Sequence, residues 1–249
     1  MKYAIFNNRF VTASRSRKGA ICPLCKANVI PKCGEIRIHH WSHKKGTMCD
    51  SWREADSQWR HRWLERFDDC EIESVIESEN EKHFVDVMTR NGTMILLRRK
   101  QLSKEDMWNM EKFFRNLVWI VDVNKQKNLF NGFQKALDEA KLCHLFRNAY
   151  SASFECWGCW KWSRVPVVFD FSGQGHPSLK DFLWCLIPCE SQVFNEKRVL
   201  LRYTKKRLIE LLKRREPLSS KQLQERLRQL NSLVTVYEQS EGSLRNATT

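Results

Sequence analysis

The sequence predicts an α/β fold: a mixed sheet flanked by helices, with a small cysteine- and histidine-rich module before it and a basic helical region after it. Three observations predict this. Residues 71–122 read in order as strand, strand, turn, strand, helix and buried strand, a mixture that argues for an α/β core. Cys22 to Cys49 gathers cysteines and histidines at metal-ligand spacing. Glu196 to Arg215 repeats Lys and Arg against a leucine stripe at helical spacing.

Each element has its own warrant. Residues 2–12 alternate apolar and polar side chains and predict a strand, and Ser14 to Gly19 is a basic turn. Asp50 to Phe67 has helical spacing that sets Trp52, Trp59, Trp63 and Phe67 on one face. Glu71 to Ile76, His83 to Met88 and Thr93 to Arg98 are strand-like, and Asn91-Gly92 suits a two-residue hairpin turn. Ser103 is positioned to cap a helix over Lys104 to Arg115. Leu117 to Val123 is a short, fully apolar run, as a strand buried on both faces requires. Residues 128–147 predict a further helix, and Val165 to Phe171 and Leu179 to Ile187 further strands. Pro217 ends the basic helix, Ser219 to Leu233 starts a second amphipathic one, and Gly242 to Thr249 reads as a frayed tail. These breaks divide the chain into a module at 1–50, an α/β core at 51–127 and a C-terminal α/β to helical region at 128–249.

Composition narrows the classes. Of 249 residues, 42% are hydrophobic, enough for a sizeable core and too many for global disorder. The chain carries 43 Lys and Arg against 29 Asp and Glu, a net charge of +14. A surplus of that size with a pI near 9.5 points to a polyanion, DNA or RNA above all, because each neutralised phosphate releases counterions. A basic surface serving solubility, or a protein partner with an acidic face, is the alternative. No run of about 18 apolar residues offers a membrane span, and Met1 to Val11 lacks the apolar stretch of a signal peptide. Ten cysteines without a secretion signal imply reduced thiols or metal ligands, hence a cytoplasmic protein.

Cys22-Pro23-Leu24-Cys25 is a knuckle that presents two thiolates to one tetrahedral zinc ion, so a small zinc-ribbon-like module is expected. Cys22, Cys25, His40 and His43 form the first ligand set, with Cys49 or Cys33 as substitutes. Such a site is closed, and its role is folding and docking rather than chemistry. A second CxxC, Cys156 to Cys159, together with Cys185 and Cys189, offers four more thiols, but the tryptophans around it favour core packing over a second metal.

The order of motifs carries a resemblance. The knuckle is followed by His40-Trp41-Ser42-His43, a tryptophan-rich helix, His83-Phe84-Val85-Asp86-Val87, a hairpin, and the run from Phe113 to Asp122. Over residues 3–125 this resembles the competence protein CoiA family, and more weakly through Val165 to Asp170 and Leu183-Trp184. The resemblance implies a restriction-endonuclease-like PD-(D/E)xK core behind a zinc-binding module. It implies that Asp86 is a metal-binding carboxylate, that a second carboxylate lies at position 96 and that a Gln or Lys lies at position 98. Leu96 and Arg98 stand there instead. In the helix, Asp56 takes the place of a Glu, Arg60 that of a His with His61 one place on, and Leu64 that of a Lys.

Phosphodiester cleavage on such a core needs Mg²⁺ held by two or more carboxylates. Asp86 alone holds it weakly, and Arg98 brings positive charge where the metal belongs. Asp56, Glu71 or Glu73 are the candidates for a relocated carboxylate. The same substitutions suit binding: Arg60, His61, Arg98, Arg99 and Lys100 are candidate phosphate contacts. Further candidates are the basic clusters along Lys197 to Arg215, and Trp157, Trp160 and Trp162 interleaved with Lys161 and Arg164, although core packing competes for these tryptophans. The expectation is a nucleic-acid-binding protein with a degenerate nuclease core. It would be a non-cleaving DNA-binding or scaffold subunit in DNA processing or phage defence, with the helix at Ser219 to Leu233 available to a protein partner. The alternatives are an active Mg²⁺-dependent nuclease and a zinc-containing protein-interaction module.

Overall fold

The computed structural model describes residues 1–35, 38–44, 49–78, 80–138, 141–142, 149–153, 158–172, 182–186 and 197–214. Pro217, the helix expected at Ser219 to Leu233, the tail, Cys156, Trp157 and Cys189 lie outside them. The chain begins with β1 (Tyr3–Phe6), β2 (Arg9–Thr12), β3 (Val29–Lys32) and β4 (His40–His43). Next come α1 (Gln58–Leu64), β5 (Glu71–Glu77), β6 (Lys82–Met88), β7 (Met94–Arg98), α2 (Lys104–Phe113) and β8 (Leu117–Asp122). It continues through α3 (Lys127–Asp138), β9 (Lys141–Leu142), β10 (Ala149–Ser153), β11 (Val167–Asp170), β12 (Phe182–Leu186), β13 (Lys197–Thr204) and α4 (Lys205–Lys213).

Residues 2–12 form a hairpin rather than the single strand expected. Asn7 and Asn8 turn the chain with φ of 50° and 60°, left-handed angles that a tight hairpin needs and asparagine tolerates. Ile21 bridges Ile5 on one side and Asn28 on the other, which ties this hairpin to the β3–β4 pair. Trp41 is buried, and its indole donates to the Val11 carbonyl at 2.9 Å.

The large sheet runs β5-β6-β7-β8-β11-β12-β13-β10-β9. It is mixed: β7, β8 and β11 run parallel, and the remaining neighbours are antiparallel. The Thr89 to Thr93 turn, with Gly92 at φ 80°, closes β6 onto β7 where Asn91-Gly92 was expected to. Ser103 caps α2 by accepting from the Asp106 amide at 2.9 Å, and α2 makes the crossover to β8. All six residues of β8 are buried because helices cover both faces of the sheet.

Alternation along β8 divides the core. Trp119 and Val121 pack with Leu96, Met107, Met110, Phe133, Phe169 and Trp184 under α2 and α3. Val118 and Ile120 pack with Trp59, Trp63, Phe67, Val168, Leu208 and Leu212 under α1 and α4. A third cluster, with Ala4, Trp41 and Phe84 at its centre, seats the N-terminal module on β5 and β6.

Three expected helices are shorter than their spacing suggests: the one expected over 128–147 stops at Asp138, and Lys141–Leu142 within it is a strand paired to β10. Ser57 caps α1, so Trp52 lies before the helix and stacks on His83 at 3.6 Å, on the opposite side of the core from Trp59, Trp63 and Phe67. Within the basic stretch, Lys197–Thr204 is a strand held between β12 and β10. Its side chains divide by period two, with Leu200 in one core layer and Leu201 and Tyr203 against the other, and sheet pairing on both edges overrides the helical spacing. Only Lys205–Lys213 is helical there.

Trp119 is wholly buried at the centre of the sheet. Trp119→Ala is expected to cost about 3–5 kcal/mol, whereas Phe10→Ala, at a side chain 68% exposed, is expected to stay within about 0.5 kcal/mol. Urea midpoints of the two variants check this.

Candidate functional site

Cys22, Cys25, His43 and Cys49 converge, with one ligand atom from each lying within 4.8 Å of all the others. The knuckle is held by the Cys22 amide donating to the Ala27 carbonyl at 2.8 Å and the Lys26 amide donating to the Cys22 carbonyl at 3.0 Å, with Lys26 left-handed at φ 60°. β4 delivers His43, and Cys49 follows a few residues on. The Cys22 and Cys49 sulfurs are 3.9 Å apart, and Cys25 Sγ lies 3.3 Å from His43 Nε2. Tetrahedral Zn–S bonds of about 2.3 Å place ligand sulfurs about 3.8 Å apart, so the spacing fits a zinc-sized ion. Burial pushes the Cys22 and Cys49 thiols up, and the neighbouring thiols push Cys49 up further. A divalent cation removes that repulsion, which is the electrostatic case for the group holding a metal such as zinc. Cys49, the substitute ligand, is present in place of His40. His40 sits with Nδ1 2.8 Å from the Ile38 carbonyl, and Cys33 offers its carbonyl to Arg15.

The second constellation surrounds Arg60, which is 2% exposed. Its Nη2 and Nε donate to Asp86 Oδ1 at 2.5 and 3.1 Å, and its Nη1 to Glu73 Oε1 at 2.9 Å and Asp56 Oδ1 at 3.1 Å. Three carboxylates from α1's approach, β5 and β6 therefore share one guanidinium. Glu73 and Asp86 fall opposite each other in the β5–β6 register, but the ladder skips that pair. Glu73 takes φ 55°, a left-handed angle rare outside glycine. From there Glu73 accepts from the Lys2 amide at 2.6 Å and the Tyr3 amide at 3.2 Å, and also from Arg53 Nη2. Asp86 Oδ2 accepts from the Leu97 amide at 2.6 Å.

Burial alone would raise the Glu73 and Asp56 carboxyls. The charges of Arg53 and Arg60 outweigh it at Glu73, and those of the Met1 amine, Arg60 and Arg53 at Asp56, holding both below the usual carboxylate range. Burial likewise disfavours a charged Arg60, but Asp86, Glu73 and Asp56 raise its pKa further from neutrality.

Leu96 is buried in the core and ligates nothing. Arg98 is 2% exposed and turned inward: Nη1 donates to the Leu97 carbonyl at 3.4 Å, Nη2 lies 3.5 Å from Met110 Sδ, the guanidinium sits 5.4 Å from the Trp119 ring centroid, and Nε has no partner. Burial lowers its pKa. Arg99 donates through Nε to Asp122 at 3.3 Å, and Lys100 is exposed. Of the five candidate phosphate contacts, then, Arg60 and Arg98 do not present their guanidiniums to solvent. Glu71 is exposed and engages Ser74, away from Asp86.

A cleft of about 750 Å³ separates the module from the approach to α1. His61, 6% exposed, lines it together with Asp56, Arg53 and Arg99. Burial holds His61 below its ordinary pKa. Elsewhere, Trp160 is core, whereas Trp162 is 46% exposed and shares Lys104 with Trp108 at 4.4 and 4.3 Å. On α4, Lys213 pairs with Asp69 at 2.5 Å, Lys205 approaches Asp170 at 3.7 Å and Arg207 pairs with Glu210 at 3.6 Å. Among the described residues no helix is long and apolar enough to cross a membrane.

The fold and site define a mixed α/β protein whose N-terminal end carries a cysteine/histidine cluster that could hold a metal ion. Residues 6–51 match the family model described as competence protein CoiA, N-terminal domain, so over that span the chain is similar to CoiA. The matched span covers the module and ends before the large sheet. No curated protein and no solved structure matches the chain.

Two expectations follow. Elemental analysis of protein expressed with zinc should find about one zinc per chain. Cys25→Ser or His43→Ala should lower that stoichiometry, and His40→Ala should leave it unchanged. The Arg60 cluster sets an acid limit: because Asp56 and Glu73 are depressed, the unfolded chain binds more protons in acid. Their contribution is fully present above the unfolded carboxylate pKa of about 4 and is lost as pH falls through the folded values. Arg60→Met should cost about 3–5 kcal/mol near neutrality, and urea unfolding should show the deficit narrowing below about pH 4.

Proposed function

We propose that this chain is a nucleic-acid-binding protein whose restriction-endonuclease-like core does not cleave. On this reading it serves as a recognition or scaffold subunit in DNA processing, the setting that a CoiA domain suggests, or in phage defence. The observation that carries the reading is Arg60. Its guanidinium occupies the position among Asp56, Glu73 and Asp86 that a Mg²⁺ ion would need. Supporting it, α1-β5-β6-β7-α2-β8 follows the helix–three strands–helix–strand order of the core implied by the resemblance, with Asp86 on the second strand. Leu96 and Arg98 lie at the positions where that core carries its remaining catalytic groups, and both face the interior. The net charge of +14 favours a polyanionic ligand. On the same reading residues 1–50 are a zinc-binding module, 51–127 hold the nuclease-like core and 128–249 extend it.

Labelled single- and double-stranded DNA and RNA, incubated with the protein and Mg²⁺ or Mn²⁺, should be retained without cleavage. Retention should weaken steeply between about 50 and 200 mM salt. Metal-dependent cleavage that disappears in Asp86→Asn would overturn the proposal in favour of an active nuclease. Absence of any retention would favour a protein-interaction module.

A further inference from the structure

The cleft between the N-terminal module and α1 has an uneven hydrogen-bond inventory. Three carboxylates line it: Asp50, Glu54 and Asp56. All three are committed to internal donors. Asp50 accepts from the amides of Trp52 and Phe84 at 2.9 and 2.8 Å and faces His83 Nδ1 at 2.9 Å. Glu54 accepts from the amides of Arg99 and Lys100, each at 2.8 Å. Asp56 accepts from Arg60 at 3.1 Å and from the Met1 amine at 2.5 Å.

The nitrogen groups on the same walls are less fully used. His61 is nine-tenths buried, yet its Nε2 has no hydrogen-bond partner and the nearest carboxylate oxygen, on Asp56, is 3.9 Å away. Arg53 spends Nη2 on Glu73 and leaves a buried Nη1 without a partner. Lys44 stands exposed at the rim. Buried polar groups without partners are costly, so their clustering on one cleft calls for a ligand that supplies acceptors.

The geometry points to this cleft as a phosphate-binding site, with Arg53 Nη1 and His61 Nε2 as its inner contacts and Lys44 at its mouth. A phosphate brings several acceptor oxygens and negative charge, and an arginine nitrogen already oriented by a carboxylate is a pre-organised donor. The module that forms one wall carries ten Lys and Arg against Glu35 and Asp50, a surplus of eight within residues 1–50. That field draws a polyanion toward the cleft. The site goes beyond a general affinity for nucleic acid and rests on that reading only for the source of the phosphate, which is a strand's backbone or end.

The test titrates the full-length, zinc-loaded protein by calorimetry with three probes: inorganic phosphate, oligothymidylate bearing a 5′-phosphate, and the same oligothymidylate with a 5′-hydroxyl. Chloride at matched ionic strength is the control. Native protein should bind all three, and a preference for the 5′-phosphate would identify a strand end as the source. His61→Phe, which keeps a ring, and Arg53→Lys, which keeps the charge beside Glu73, should each weaken binding about tenfold or more at unchanged zinc content. Should His61→Phe fail to fold, Arg53→Lys carries the same comparison. Oligonucleotide binding that neither variant alters would overturn the cleft site and leave the nucleic-acid reading standing. Phosphate binding that the variants weaken, with no oligonucleotide binding, would keep the site and remove that reading. No phosphate binding above the chloride control would overturn the site.

Discussion

One buried guanidinium organises this protein. Among the described residues Arg60 alone touches Asp56, Glu73 and Asp86 together, and without it three carboxylates would face one another out of water. Like charges opposed across a strand pair destabilise a sheet, and Glu73 and Asp86 are opposed in the β5–β6 register. The ladder opens there, Glu73 turns left-handed, and its second oxygen catches the amides of Lys2 and Tyr3. The position of the N-terminal module on the sheet thus depends on the same residue that fills the carboxylate cluster. A cluster that holds a guanidinium in this way carries its counter-ion on its own chain.

The two polar centres of the molecule are built on opposite principles. At the cysteine/histidine group, ligands from a knuckle, a strand and the following segment approach one another without an internal cation, and their thiols are destabilised as anions. At Arg60, cations and carboxylates are matched within the protein and the acids are held ionised. One centre leaves room for a cation from outside the chain, and the other carries its own. The cleft lies between them, with His43 and Cys49 on one wall and Asp56 and His61 on the other.

Much of the α/β core was legible because its signals are local. The apolar run at β8, the Asn91-Gly92 turn and the Ser103 cap each determine geometry within a few residues. The knuckle was legible for the same reason. What escaped depends on distant partners. Cys49 rather than His40 joins the cluster because β4 points His43 toward the knuckle while His40 turns to the Ile38 carbonyl, an alternation that depends on strand register. Arg60 looked like a phosphate contact because nothing nearby in sequence announces that Glu73 and Asp86 will enclose it. Arg53 carried no signal at all, since its partner lies twenty residues on, at an unusual backbone angle. The strand at Lys197–Thr204 was hidden because its identity comes from two neighbours in the sheet rather than from its own spacing.

The indoles of Trp59 and Trp63 both donate to Asp170 Oδ2, at 2.9 and 2.8 Å, across more than a hundred residues of chain. Asp170 is itself delivered by β11, which pairs with β8 from the far side. Closing a loop of such length costs conformational entropy that the buried bonds and packing must offset. Helix α1 is too short to persist alone, so its place depends on these two bonds and on the core beneath it. Arg60 lies one residue after Trp59, so the turn that presents its guanidinium to the carboxylates is moored to a strand far along the chain.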